Sequence, residues 1–92
     1  MAVTVYIPTP FRRATQNRDR VDVTAPNVAG ALDELETRHA GLKGLVRNDA
    51  GEVHHHVNIY VNSRAIEDLD GLATRLEDGD ELTIIPALAG GR

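Results

Sequence analysis

Leu76-Glu77-Asp78-Gly79-Asp80-Glu81-Leu82-Thr83-Ile84-Ile85-Pro86 packs a turn and a strand into one short stretch. Asp78-Gly79-Asp80 has turn chemistry, because glycine takes a positive φ at no steric cost and aspartate bonds its own backbone. From Glu81 onward the residues alternate. Leu82 and Ile84 share one face, Thr83 and Ile85 the other. Pro86, with no N–H to give, closes the strand. Beyond it stand only Ala87-Leu88-Ala89-Gly90-Gly91-Arg92. The fold therefore depends on where this last strand sits and how its end gets out.

Earlier in the chain the same pattern appears twice, separated from this strand by a helix. Val3-Thr4-Val5-Tyr6-Ile7 alternates and stops at Pro8, with Val3, Val5 and Ile7 on one face and Thr4 and Tyr6 on the other. A polar stretch with Pro10 and the arginines from Arg12 to Arg20 follows, diluted by Asn17 and Asp19, and reads as a solvated loop. Arg20 to Thr24 predicts a second strand with Val21 and Val23 inward, forming a hairpin with a long connection. From Asn27 to Ala40 the period becomes helical. Val28, Ala31, Leu32 and Leu35 make the apolar stripe, and Asp33, Glu34 and Glu36 lie opposite. Thr24 or Asn27 can cap this helix, Pro26 suits its entry, and Gly41 predicts a left-handed stop. After the turn-rich Asn48 to Gly51, the longest expected strand runs from Val53 to Asn62. Its odd positions, His55 included, face inward; His54, His56, Asn58, Tyr60 and Asn62 face outward. Ala65-Ile66 marks a short element, and Leu72 and Leu76 a single helical turn.

The order is strand, strand, helix, strand, short element, strand. It predicts an α+β fold of the β-grasp kind, a mixed sheet of four to five strands with one main helix packed on one face. In that arrangement the first and last strands are central neighbours. Ninety-two residues suffice for one small domain. The absence of cysteine excludes a disulfide framework, a thiolate metal site and a cysteine nucleophile. A net charge of −4, one Phe, two Tyr and no Trp argue against a nucleic-acid partner. No apolar run approaches the roughly 20 residues of a membrane span. Met-Ala-Val-Thr-Val at the start reads as a strand rather than a signal segment, so the cytoplasm is the expected location. No nucleotide loop, nucleophile–base pair or metalloprotease motif is present, and catalysis by this chain is not expected.

A diglycine near a terminus is by itself compatible with a frayed end. In series with what precedes it, it gains meaning. Leu72-Ala73-Thr74, then Leu76-Glu77-Asp78-Gly79-Asp80-Glu81, then Ile84-Ile85-Pro86-Ala87-Leu88-Ala89-Gly90-Gly91 resemble the C-terminal signature of the MoaD/ThiS family, the ubiquitin-like sulfur carrier proteins. Val57-Asn58-Ile59-Tyr60-Val61-Asn62 is similar to the family's third strand and the turn after it. The resemblance covers nearly the whole chain and lies nearest the branch of carriers that feeds cysteine biosynthesis.

The resemblance implies a β-grasp domain over residues 1–86 and a flexible diglycine tail over 87–92. It makes the Gly91 carboxylate the functional group, with Leu88, Ala89 and Gly90 as the arm that carries it. In such carriers an adenylating enzyme of the ubiquitin-activating type joins this carboxylate to AMP from ATP. Sulfur then displaces AMP and leaves a thiocarboxylate for a second, sulfur-accepting enzyme. ATP and the sulfur donor serve the activating partner, and this chain binds no cofactor. The implied acceptor is a cysteine synthase; molybdopterin or thiamine synthesis and tRNA thiolation are the other acceptor routes. Glycine suits a threading tail because, without a Cβ, its backbone runs close to protein walls. Arg92 departs from the pattern. A processing protease that removes it would expose Gly91.

Other features have simpler expectations. His54 and His56 share a strand face on this reading, but a metal needs a third ligand and none presents itself, so no metal site is expected. His39 reads as a partly buried residue at the helix C-terminus, a place favourable to positive charge. Tyr6, Tyr60 and Ile85, edged by Asn58, His54 and His56, form a candidate partner-docking face. Glu67, Asp68, Asp70, Glu77, Asp78, Asp80 and Glu81 read as a solvated acidic rim able to steer a basic partner near the tail. Two alternatives to the carrier stay open: a ubiquitin-like modifier joined through Gly91 to target lysines, and a non-covalent binding module. Lys43 is the only lysine available for chains.

Overall fold

The computed structural model describes residues 2–87. Five strands, β1 (Val3–Tyr6), β2 (Arg20–Val23), β3 (Val57–Val61), β4 (Arg64–Ala65) and β5 (Glu81–Pro86), form one sheet in the order β2-β1-β5-β3-β4. The β1–β5 pair is parallel and the other pairs are antiparallel. The sheet is mixed, with the first and last strands adjacent at its centre, and α1 (Val28–Arg38), the one α-helix among the described residues, covers one face. This is the β-grasp.

Strand alternation builds the core. Val3, Val5, Val21, Val23, Val57, Ile59, Val61, Leu82 and Ile84 all point to the covered face and are nearly inaccessible. The helical stripe meets them as expected, with Val28, Ala31, Leu32 and Leu35 buried. Asn27 is the cap: its side chain accepts the Gly30 N–H at 2.7 Å. Two side chains of α1 also reach the outer edge of β2. Glu34 accepts the Thr24 N–H at 3.0 Å, and Arg38 donates to the Asp22 carbonyl at 2.6 Å.

Three expectations need correction. The arginine-rich segment is not a solvated loop throughout. Thr9–Thr15 is a 3-10 helix that buries Phe11 and Thr15, and the Thr15 hydroxyl closes on the Arg18 carbonyl at 2.9 Å. Gly41 is not the helix stop. The α-helix ends at Arg38, and Gly41 lies within a short 3-10 turn, Ala40–Leu42, where a Cβ would come within 3.1 Å of the Ala14 side chain. The third correction concerns β3, which begins at Val57 rather than Val53. Val53 bridges Arg47 instead, and His54–His56 turn the chain toward the sheet. The apolar alternation runs on through this turn, but the backbone pairing does not.

The polar side of α1 lies opposite the stripe as expected, and it also binds a partner. Asp33 and Glu36 hold Arg47, whose side chain is 12% exposed, at 2.7 and 2.9 Å. The guanidinium pins the connection between α1 and β3 onto the helix.

Candidate functional site

Pairing in the centre of the sheet decides which side chains meet on its uncovered face. Tyr6 of β1 is in register with Thr83 of β5, and Thr83 with Tyr60 of β3; one step further along, Ile85 stands opposite Asn58. Tyr6, Thr83, Tyr60 and Asn58 are half-buried. Ile85 is 47% exposed, the most exposed large apolar residue among those described. It stands between two shallow concavities. One, of about 260 Å³, is lined by Tyr60, Ser63, Thr83 and Ile85. The other, of about 290 Å³, extends from Tyr6 and Pro8 past Arg12 to Ile85 and Pro86. The Tyr6 hydroxyl lies 3.5 Å from a Glu81 carboxylate oxygen.

The candidate docking residues Tyr6, Tyr60, Ile85 and Asn58 thus share one face. His56 does not reach that face by strand alternation, because it lies in the turn before β3. It contributes through its backbone: the His56 carbonyl accepts the Ala87 N–H at 2.6 Å, where the chain leaves β5. Its ring stacks on His54 at 5.1 Å between centroids and meets His55 edge-on at 5.5 Å. His54 Nε2 is 2.8 Å from the Gly44 carbonyl. Among the described residues no three His, Cys, Asp or Glu side chains are placed to hold a metal ion, and no helix is long and apolar enough to cross a membrane. Leu88, Ala89, Gly90, Gly91 and Arg92 lie outside the described residues.

The opposite end of β5 is a hydrogen-bonded knot. Asp80 accepts from the Glu77 N–H and from the Asn62 side chain, each at 2.8 Å, and Asn62 in turn accepts the Glu81 N–H at 2.9 Å. The Asp80 carbonyl receives the Thr4 N–H at 3.1 Å, and Ala2 exchanges bonds with Asp78 and Gly79 at 2.9 Å. Gly79 carries φ +88°, which the turn requires. Asn62 and Ser63, with φ of +49° and +77°, form the two-residue connection between β3 and β4. The two sequence segments that carry the resemblance, one ending at Asn62 and one centred on Asp78-Gly79-Asp80, are therefore a single structure.

This knot corrects part of the reading of the acidic rim; Glu67 still borders Val57 and Asn58, the register partners of Pro86 and Ile85. Glu77, Asp78, Asp80 and Glu81 sit where β5 begins, and at about 3.3 Å per residue the strand carries Pro86 some ~17 Å away. They do not flank the root of the tail. Arg12 does, and sequence reading missed it because it placed the arginines from Arg12 to Arg20 in a solvated loop. His39, half-buried as expected, is not favoured as a cation. Burial, then Arg38, then Arg18 lower its pKa below the usual 6.5.

A model described as the ThiS family matches residues 5–91. The sulfur carrier protein CysO of Mycobacterium tuberculosis is 38% identical over 93 residues, spanning 99% of this chain and 100% of that protein. Small archaeal modifier protein 3 of Haloferax volcanii is 46% identical over 72 residues, spanning 78% of this chain and 76% of its own length. Among solved structures, a chain of the Amycolatopsis orientalis BexX/CysO complex matches with a TM-score of 0.90 and 39% identity. That match covers 97% of this chain and 99% of the other.

Proposed function

The chain belongs to the ThiS family, and from that premise we propose that it is a sulfur carrier whose working end is the Gly91 carboxylate. The observation that carries the reading is the placement of β5. It runs through the centre of the sheet and ends at Pro86 beside the most exposed large apolar residue among those described, with Gly90 and Gly91 following in sequence. A reactive group on such an arm reaches a partner's active site while Tyr6, Tyr60 and Ile85 dock on its surface.

The chemistry balances in two steps. The Gly91 carboxylate attacks the α-phosphorus of ATP and releases pyrophosphate, giving an acyl adenylate. A hydrosulfide-level sulfur then attacks the acyl carbon and expels AMP, leaving the thiocarboxylate. Both steps belong to an adenylating enzyme, because this chain presents no nucleotide loop. A processing protease removes Arg92 first, and the acceptor is a cysteine-forming synthase. The Amycolatopsis orientalis structure, in which CysO is in complex with BexX, supports a chain that works docked on another protein. The intact mass of the protein from its native cells tests the reading. Loss of arginine with one oxygen exchanged for sulfur is the expected result; an untrimmed chain under every condition overturns it.

The likeness to small archaeal modifier protein 3 favours a second use of the same end, as a modifier joined to lysines of other proteins. Conjugates carrying the Gly90-Gly91 remnant on target lysines would establish that use.

A further inference from the structure

We propose that Arg12 is a partner-specificity residue, pairing with a carboxylate on the surface of the adenylating enzyme at the mouth of the path the tail enters. The inference rests on the sulfur-carrier reading and deepens it.

Arg12 lines the concavity that also contains Tyr6, Pro8, Ile85 and Pro86, so its side chain borders the last residues of β5. Its position is fixed locally. Pro8 ends β1 and starts the 3-10 helix, and the Arg12 Nε then donates back to the Ile7 carbonyl at 3.1 Å. That bond uses one of five guanidinium N–H donors and leaves the two terminal nitrogens. Among the described residues the ion pairs within 4.0 Å are made by Arg20, Arg38 and Arg47, not by Arg12. Asp19, whose carbonyl accepts the Ile7 N–H at 2.8 Å, has its carboxylate 3.9 Å from Arg20 instead. The arginine is therefore oriented, half-buried and without an internal carboxylate, beside an exposed isoleucine.

An incoming carboxylate would find a planar fork already aimed, at less ordering cost than a free side chain imposes. The neighbours Ile85 and Pro86 are apolar. A protein surface that sets an apolar residue beside an acid matches this corner, whereas a free phosphate, apolar on no side, does not.

The test uses the chain ending at Gly91 and the adenylating enzyme of the same organism, with pyrophosphate release as readout. Adenylation of the wild type is the first arm and checks the carrier reading separately; its failure overturns both proposals. In the second arm, Arg12→Gln is expected to raise KM for the carrier by about 5- to 20-fold with kcat unchanged. Arg12→Glu should raise it further, Arg12→Lys should recover only part of it because it keeps the charge and loses the fork, and KM should lose part of its salt dependence in Arg12→Gln. Inorganic phosphate at millimolar concentration should not compete. A wild type that is adenylated while Arg12→Gln keeps its KM and salt response overturns the assignment. So does an Arg12→Lys variant as impaired as Arg12→Gln, which would make the side chain a structural brace, and so does competition by phosphate.

Discussion

At Glu81, where β5 begins, the backbone and its neighbours are tied to three other segments: the start of β1, the β3–β4 connection and the turn from Glu77. At Pro86, where it ends, the bond from Ala87 to the His56 carbonyl is the corresponding tie among the described residues. The first end is cross-tied to three segments, the second to the start of β3 and the turn before it. Since side chains alternate with period two, a slip of one residue at Glu81 would turn Ile85 inward and Ile84 outward. The knot at the closed end thus determines what the open end presents, although the two are several residues apart.

The contrast can be broken at either end or in between. The largest effect is expected in between, from Leu82→Ala. That side chain is fully buried at the sheet centre, and its truncation should cost about 2–5 kcal/mol in a denaturant titration. Next comes Asp80→Ala at the closed end, which removes the acceptor for two hydrogen bonds. A loss of about 1–3 kcal/mol is expected. Amide exchange in β5 should also rise from Glu81 forward rather than from Pro86 backward. At the open end, Ile85→Ala should change stability by less than about 0.5 kcal/mol, as for an exposed residue. Its effect should instead be seen as weaker binding to the adenylating enzyme in a calorimetric titration. An Ile85→Ala protein that binds as tightly as wild type would remove the docking face from the account.

The smallest effect concerns His39, remote from both ends of β5. Its folded-state pKa is depressed, so between that value and the unfolded 6.5 the unfolded chain binds more protons. Its contribution to stability is therefore complete above pH 6.5 and is lost as pH falls through the folded pKa. His39→Gln should flatten that part of the stability–pH curve, and an unchanged slope would show that His39 is solvated alike in both states.

What was readable in the sequence, and what was not, follows the difference between periodicity and partnership. β5 ran from Glu81 to Pro86 as read, and the stripe of Val28, Ala31, Leu32 and Leu35 faced the sheet, because each is set by which residues alternate within one element. Features that need a distant partner were not legible. Val53 to His56 kept the alternation of a strand, but their neighbour is Arg47 in a loop, so they turn instead. Phe11 lies in the stretch read as a solvated loop, yet the 3-10 helix folds it into the core. Asp33 and Glu36 had the spacing of a solvent face, and nothing near them in sequence announced Arg47. For the site, Tyr6, Tyr60, Ile85 and Asn58 could be grouped once β1 and β5 were taken as neighbours. Arg12 could not, because its place depends on a backbone bond to Ile7.

The helix side chains at the border of β2 have a consequence for life in a crowded solution. A border strand offers spare N–H and C=O groups to any extended chain that drifts past, and such offers lead to swapped domains and fibrils. Here Glu34 has taken the N–H of Thr24 and Arg38 the carbonyl of Asp22, and the two side chains meet each other at 3.3 Å. The molecule thus refuses strangers along one margin while leaving the opposite corner, at Ile85, open to company.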